Sequence, residues 1–395
     1  MAKSKFIVSS AAFAKALAQV VPVIAGSPIV PILENVLLVG TGSVVGTAAT
    51  VQLVGTNFET LLSVTLAVEG FENFALCVPA RKLLSTLKGF PDAPITCEVD
   101  DEVNTFELSA GRSRYKLAGE LPHDFPKMKP VERKPTQFSI PSNLLRAALA
   151  ATLETAATND QRTYFNAVLI EATASELRFV GCDGHTIAIY DITDEDERFE
   201  EVEWEGTFKL LVPRGSAQLL LNRLDAKSSA LLTLLADSTN IRLQDGGWVS
   251  RLVDETYADY RGVLPGIHPQ ILDVDRDELL AALRRLTGYT PEKTDMAVFS
   301  LTQEVESFTI RADSPDWGNE GSEEVGGLFE GQPLTIGFPA ARLAQLLSLW
   351  PSGKIRFSMD GSSRAALLTL AQEEDAPVLT CLVMPSVMLP AALAA

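Results

Sequence analysis

One pattern recurs along this chain of 395 residues and limits what it can fold into. Short amphipathic helices, with apolar residues three or four apart, are predicted at intervals of about 60–70 residues, beginning near Ser10, Pro79, Pro141, Pro213, Asp275 and Pro339. Four of these starts have proline in the predicted first turn, where its missing N–H costs nothing. Between the helices the apolar period falls to two. Segments such as ITCEVDDEVNTFEL from Ile95, LLTLLADSTNIRL from Leu231 and IRFSMDGSSRAALLTL from Ile355 predict a strand, a polar turn and a second strand.

The repeat predicts three similar units of about 130 residues, spanning 1–129, 130–268 and 269–395. Each is expected to be α+β, with two helices on one side of an antiparallel sheet. The apolar stretch after Lys5 is interrupted by Lys15, and Phe13, Leu17 and Val20 fall at helical spacing. That spacing favours an amphipathic helix over a signal peptide. Such a tandem repeat favours an assembly of equivalent blocks over a single-cleft enzyme.

The charge of the chain is unevenly distributed. The total is −18, which by itself argues against a nucleic-acid partner. The six predicted helices, however, contain ten basic and two acidic residues, a net charge of +8, which leaves −26 for the rest of the chain. Basic helices lining a hole would meet DNA phosphates without regard to sequence. Basic residues that merely decorate solvated helix faces would give the same count.

The sequence offers little for catalysis or for metal binding. Cys77, Cys97, Cys182 and Cys381 form no CxxC pair and are expected to be free thiols in a reducing cytoplasm. Asp183 and His185 follow Cys182, but a tight turn, in which the aspartate bonds the backbone, fits this string better than a triad. The GxxxxGK[ST], GxSxG and HExxH strings are absent. The acidic runs from Asp191 and Glu320 are expected to be solvated loops, so no metal, cofactor or enzymatic activity is predicted.

Specific strings then occur in order along the chain. They are PILENVLL from Pro31, GRSRYKLAG from Gly111, CDGHTIAI from Cys182, LVDETYADYRGVLP from Leu252 and CLVMP from Cys381. At this spacing they resemble the bacterial sliding clamp family, the beta subunit of DNA polymerase III, over essentially the whole chain. The resemblance implies three similar domains per chain and a head-to-tail homodimeric ring with helices inside. It also implies encircled duplex DNA, a separate clamp loader, and polymerases and repair proteins as partners.

Residue by residue, the resemblance implies three sites. A hydrophobic cleft for short linear peptides would involve Phe165, Gly184, His185, Ile187, Ala258, Val263, Val383, Met384, Pro385, Ser386 and Met388. The DNA-facing cations would include Arg81, Lys82, Arg146, Arg214, Arg284 and Arg342. The dimer contact would pair an edge strand bearing Tyr115 and Leu117 with Leu283, Leu286 and Tyr289 of the other subunit.

Several positions depart from the family pattern. Ser27, Thr186 and Gly262 stand where the family often has arginine, Ser386 stands where it often has methionine, and Gly288–Tyr289 replaces an aliphatic pair. Residues 389–395 extend past the usual end. These differences affect the details of DNA, peptide and dimer contacts. Two other functions remain open at this point: a repeat-built interaction scaffold without DNA, and a metal-dependent hydrolase.

Overall fold

In a computed structural model, the structure describes residues 4–42, 48–70, 73–100, 102–128, 135–264, 266, 269–292, 294–303, 306–314, 318–371 and 378–386. The first part of the chain alternates strands with two helices: β1 Ser4–Ser9, α1 Ser10–Val20, β2 Asn35–Thr41, β3 Thr50–Thr56, β4 Thr60–Ala67, β5 Phe74–Pro79, α2 Ala80–Lys88, β6 Pro94–Asp100, β7 Thr105–Ala110 and β8 Ser113–Ala118.

The middle of the chain repeats this order. Its elements are β9 Thr136–Pro141, α3 Ser142–Thr155, β10 Ala167–Ala172, β11 Glu176–Cys182, β12 Thr186–Thr193, β13 Glu203–Trp204, β14 Phe208–Pro213, α4 Arg214–Leu221, β15 Leu231–Ala236, β16 Asn240–Leu243 and β17 Trp248–Arg251.

The last part repeats it a third time. Its elements are β18 Gln270–Asp275, α5 Arg276–Leu286, β19 Met296–Leu301, β20 Ser307–Ser314, β21 Asn319–Glu330, β22 Leu334–Pro339, α6 Ala340–Leu347, β23 Lys354–Met359, β24 Ala366–Leu370 and β25 Leu379–Val383.

All six predicted helices are present, and each begins within one residue of its predicted start. The side chains of Ser9 and Asp275 accept hydrogen bonds from backbone N–H groups in the first turns of α1 and α5. Pro79, Pro141, Pro213 and Pro339 are the last residues of the preceding strands, not first-turn residues as predicted. A proline at a strand end lacks only the N–H that the strand no longer needs, and its fixed φ turns the chain into the helix.

The chain forms two compact units. The first comprises residues 1–139, 222–224 and 231–252, and the second comprises residues 140–221, 225–230 and 253–395. The predicted three-domain division stays a prediction. Two of its boundary residues, Lys129 and His268, lie outside the described residues.

The first unit contains a sheet with strand order β1-β6-β7-β8 and a second run ordered β15-β16-β17-β4-β3-β2-β5. The predicted amphipathic face of α1 is buried in it through Phe13, Leu17 and Val20. The ring of Phe6 stacks on Phe74 at 5.7 Å between centroids and meets Phe13 edge-on at 6.3 Å. The core of this unit therefore lies between α1 and the strands, as the helical spacing predicts.

The second unit contains a twelve-stranded sheet ordered β14-β10-β11-β12-β25-β24-β23-β18-β21-β20-β19-β22. Within this sheet β12 pairs with β25, with Thr186 opposite Val383 and Tyr190 opposite Leu379. A Cβ at Gly181 would lie 1.9 Å from the backbone oxygen of Thr152, so α3 packs against β11 only because that residue is glycine. This pairing and this close packing position the residues of the candidate site.

Candidate functional site

The DGH string forms a turn between β11 and β12. One carboxylate oxygen of Asp183 accepts hydrogen bonds from the backbone N–H groups of His185, at 2.9 Å, and Thr186, at 2.7 Å. Gly184 lies at φ +89°, a conformation that side chains disfavour. The predicted tight turn is confirmed. Burial raises the pKa of the preceding Cys182 thiol to about 11, so that thiol is not a ready nucleophile.

An aromatic cluster lies beside this turn. Phe165 meets Tyr164 edge-on at 4.7 Å and Tyr257 at 6.1 Å, in a buried cluster that also includes Ile187. Ala258 packs against the cluster. The guanidinium of Arg162 lies 4.5 Å from the centre of the Phe165 ring. A Cβ at Gly184 would lie 2.9 Å from the same guanidinium, so Arg162 connects the aromatic cluster to the turn.

The end of β25 forms the other side of this region. Val383 is buried, while Met384 is 41% exposed and donates its backbone N–H to the oxygen of His185 at 2.9 Å. Pro385 is half-buried. Ser386 pairs instead with Gly337 of β22 through a backbone hydrogen bond of 2.8 Å. Met388 and residues 389–395 lie outside the described residues.

A buried polar network holds the segment that carries Ala258 and Val263. The hydroxyl of Tyr260 donates to the buried carboxylate of Glu171, which also pairs with Arg261 at 2.6 Å. Arg178 donates to the same hydroxyl at 3.3 Å. Burial acts to raise the pKa of Glu171, but the hydrogen bonds from Arg261 and Tyr260 hold it below its usual value. The segment is therefore fixed to β10 and β11, and Val263 remains 56% exposed at its surface.

Most of the predicted cleft residues thus come together. Phe165, Ile187 and Ala258 share one apolar cluster, and the turn at Gly184–His185 is bonded to Met384. Val263 and Ser386 are not part of that cluster. A polar recess of about 540 Å³ adjoins the turn, and Asp183, His185, Arg214 and Arg342 are among the residues that line it.

Sequence reasoning missed three residues of this region: Arg162, Tyr164 and Tyr257. Tyr164 directly precedes Phe165, and Tyr257 directly precedes Ala258, so each is adjacent in the sequence to a predicted cleft residue. Arg162 had no such signal, because its contact with the Phe165 ring depends on how the loop after α3 folds.

The predicted DNA-facing residues differ in how their side chains are engaged. Arg81 donates to the backbone oxygen of Ile24 at 2.7 Å, Arg146 donates to that of Leu221 at 2.9 Å, and Arg214 donates to that of Leu153. Arginine side chains at carbonyls near helix C-termini offset the negative end of the helix dipole. Lys82 and Arg284 are exposed, and Arg284 forms no hydrogen bond or ion pair with the residues described. Arg342 is bound to Asp183.

The predicted dimer residues divide in the same way. β8 is an edge strand, as predicted, and Tyr115 on it is 46% exposed and packs edge-on against Phe90 at 5.6 Å. Tyr289 is 45% exposed. Leu117, Leu283 and Leu286 are buried in their own subunit. The two α5 leucines lie on the inward face of their helix, and the assignment of these residues to a dimer surface stays a prediction.

Comparison with known proteins identifies the family. A family model described as the DNA polymerase III beta subunit, N-terminal domain, matches residues 4–129. A beta sliding clamp of Pseudomonas putida is 31% identical over 378 residues, which span 94% of this chain and 97% of that protein. The chain belongs to the beta sliding clamp family. A Vibrio cholerae clamp is 29% identical over 375 residues, again 94% of this chain and 97% of that protein.

Solved clamps have the same fold. A Pseudomonas aeruginosa sliding clamp bound to griselimycin has a TM-score of 0.86 at 28% identity, covering 98% of this chain and all of that one. The Thermotoga maritima beta subunit has a TM-score of 0.85 at 20% identity, a likeness of fold alone. The α+β prediction and the family resemblance are confirmed. Sliding clamps are non-catalytic subunits, so family membership also confirms that the chain is not an enzyme.

Two kinds of feature are absent from the described residues. No helix among them combines the length and the apolar character needed to cross a membrane. No three His, Cys, Asp or Glu side chains among them are grouped so that they could hold a metal ion.

Tyr257 and Tyr260 lie in the same segment and allow a matched test of the polar network. The buried hydroxyl of Tyr257 finds no hydrogen-bond partner among the described residues, whereas that of Tyr260 is bonded to Glu171 and Arg178. Tyr257→Phe should raise the free energy of unfolding by about 1 kcal/mol, because it removes an unsatisfied buried group. Tyr260→Phe should lower it by roughly 1.5–3 kcal/mol, because hydrogen bonds to charged groups are lost. Urea unfolding of both variants measures the difference, and equal effects would contradict the assignment.

Proposed function

We propose that this clamp encircles duplex DNA as a ring of two chains and tethers a replicative polymerase to it. The match to a beta sliding clamp over 94% of this chain, at 31% identity, is the observation that carries the proposal. The charge distribution supports it, because the six helices are net positive in a chain of net charge −18. A topological link needs only weak contacts to phosphates, and such contacts are independent of sequence.

Retention on DNA tests the ring directly. The chain, loaded onto nicked circles by a clamp loader and ATP, should stay bound far longer than on the same DNA after it is cut once. A ring slides off a free end but not off a circle. Gel filtration of the loaded DNA before and after cutting measures this lifetime. Equal lifetimes on both forms would rule out encirclement and favour a scaffold without DNA in its hole.

Two strand edges support a head-to-tail dimer. On β8, Arg114 and Lys116 are exposed on the face opposite Tyr115. The first part of β21, through Gly326, pairs with β20 on one side, and no described strand pairs with its other side. Its exposed residues Glu320 and Glu324 are acidic.

The two edges are complementary in charge. Gly321, on the face of β21 opposite Glu320, lies against Tyr289, since a Cβ there would be 3.3 Å from the tyrosine ring. If β8 of one chain pairs with this edge of another chain, the basic side chains face Glu320 and Glu324, and Tyr115 approaches Tyr289. An unpaired edge strand is a ready template for such pairing. The interface is heterologous and closes after two copies.

Charge reversal tests the interface. Arg114→Glu combined with Lys116→Glu should convert a dimer of two 42.6 kDa chains largely to monomer, because like charges then face each other. Adding Glu320→Lys and Glu324→Lys to the same chain should restore the dimer. Sedimentation velocity at micromolar concentration measures the state. The control is Lys227→Glu combined with Arg364→Glu, two exposed cations elsewhere, which should stay dimeric. A reversed chain that stays dimeric would refute this edge pairing.

The apolar region around Phe165, Ile187, Ala258 and Met384 is proposed as the docking cleft for partner peptides. Methionine adapts to ligands of different shape, and Met384 is exposed beside a buried aromatic cluster. A Pseudomonas aeruginosa clamp of the same fold has been solved with griselimycin bound, so a relative takes a ligand of its own. The expected ligand is a short peptide of the glutamine–leucine–phenylalanine type, supplied by polymerases and repair proteins.

Peptide binding tests the cleft. Met384→Ala combined with Pro385→Ala should weaken the binding of a fluorescent glutamine–leucine–phenylalanine peptide by at least tenfold, about 1.4 kcal/mol. Fluorescence anisotropy measures the affinity. Val103→Ala, which shortens an exposed apolar side chain of the first unit, is the control and should bind as the wild type does. Unchanged affinity in the double variant would show that the cleft lies elsewhere.

The remaining assignments follow from the same proposal. Three domains per chain, with boundaries near residues 129 and 268, would give the ring six similar blocks. A separate clamp loader would open the ring on DNA, and the site of action would be the bacterial cytoplasm, at the nucleoid. No cofactor has a part in this function.

A further inference from the structure

Arg342 of α6 is unusual among the predicted DNA-facing cations. Its Nε donates to Thr186 Oγ1 at 3.2 Å, and its Nη2 donates to the same oxygen at 2.9 Å and to the Asp183 carboxylate. Its Nη1 donates to the backbone oxygen of Glu154 at 3.1 Å and to Gln345 Oε1 at 3.3 Å. A guanidinium has five N–H donors, and here five hydrogen bonds use them. None is left for a phosphate.

The acceptors belong to the turn that precedes β12. One oxygen of Asp183 accepts from the backbone of His185 and Thr186, and the other accepts from the Thr186 hydroxyl at 3.0 Å and from Arg342. Arg342 is the cation paired with this carboxylate. Because it also bonds Glu154 at the end of α3, one side chain ties the turn to two helices.

The far side of the same turn meets the candidate peptide cleft. Gly184 and His185 are predicted cleft residues, and the oxygen of His185 accepts the backbone N–H of Met384 at 2.9 Å. A shift of the turn would therefore move His185 and release Met384 from its hydrogen bond. Both are groups that an incoming peptide would contact.

We infer that Arg342 is a positioning residue for the peptide cleft and not a contact to DNA. The inference rests on the proposed docking function of the cleft. With Arg342 replaced, Asp183 loses its cationic partner, and only neutral donors hold its partly buried carboxylate. The turn then samples other conformations, and the peptide must reorder it on binding. Affinity falls although no residue that touches the peptide has changed.

Arg284 provides the matched control. It is an exposed arginine of α5 in the same predicted DNA-facing set, and it forms no hydrogen bond or ion pair with the described part of the chain. If this helix face lies against DNA, Arg284 can bind a phosphate and displace counterions from the DNA, whereas Arg342 cannot. Replacing Arg342 should therefore affect peptide binding, and replacing Arg284 should affect DNA binding.

The experiment compares the wild type with Arg342→Gln, Arg342→Lys and Arg284→Gln as full-length chains. The probes are the glutamine–leucine–phenylalanine peptide and a short duplex titrated at several salt concentrations. Arg342→Gln should weaken peptide binding about tenfold and leave the salt dependence of DNA binding unchanged. Arg342→Lys should resemble it, since one ammonium cannot reach the turn and α3 together. Arg284→Gln should keep peptide affinity and lower the salt slope by about one.

Hydrogen exchange without peptide provides a readout that does not depend on binding. The amides of His185, Thr186 and Met384 should exchange roughly tenfold faster in Arg342→Gln, while those of β20 and β21 stay unchanged. Faster exchange throughout the unit would instead indicate general destabilisation and overturn the inference. Wild-type peptide affinity with unchanged exchange at the three amides, or a reduced salt slope, would overturn it as well. A wild-type chain that fails to bind the peptide refutes the cleft itself, a result separate from any effect of Arg342.

Discussion

The candidate site depends on one backbone pairing, that of β12 with β25. These strands are about 190 residues apart in the chain, and their ladder sets Thr186 opposite Val383. Every contact between the Asp183–Thr186 turn and the Met384 region follows from that register. A slip of one residue in this register would expose Val383 and bury Met384. The pairing register is therefore strongly specified by the burial of Val383. The candidate cleft therefore rests on this sheet, and its exposed residues are Met384, Val263 and the Gly184–His185 turn.

The local structure could be predicted from the sequence because local chemistry determines it. The helices start directly after a proline at the end of a strand or after a capping side chain, as at Ser9 and Asp275. The DGH turn forms because Asp183 accepts a hydrogen bond from the backbone N–H two residues later. The partners of long side chains could not be predicted in this way. Nothing near Arg342 in the sequence indicates that it would reach Asp183, and helical spacing alone did not tell that Leu283 and Leu286 point inward while Tyr289 stays at the surface. Such contacts are determined by tertiary packing. A sequence period predicts which residues share a helix face, but not which residues that face contacts.

The candidate cleft was predicted from family resemblance and not from physics alone. Ordinary core was the alternative interpretation of the apolar run Val383–Met384–Pro385, and Val383 is fully buried. The structure changes the picture by adding Tyr164, Tyr257 and Arg162, which give the region an aromatic floor and a cation over the Phe165 ring. A largely buried aromatic cluster beside one exposed methionine suits a short peptide that buries one or two large side chains.

The helix arginines differ in how many of their N–H donors are bonded within the protein. Arg146 and Arg214 each donate to a carbonyl at the end of the other's helix, so α3 and α4 are bonded reciprocally, and Arg276 makes the same kind of bond from α5 to Leu347 of α6. An arginine held in this way loses side-chain entropy on folding, so a later contact that it makes in the same conformation costs less entropy. Arg342 lies at the end of this series, with every donor committed to protein, and Arg284 lies at the other end. If the proposed ring slides along DNA, such a graded set would suit it, because oriented cations attract the duplex without regard to its sequence.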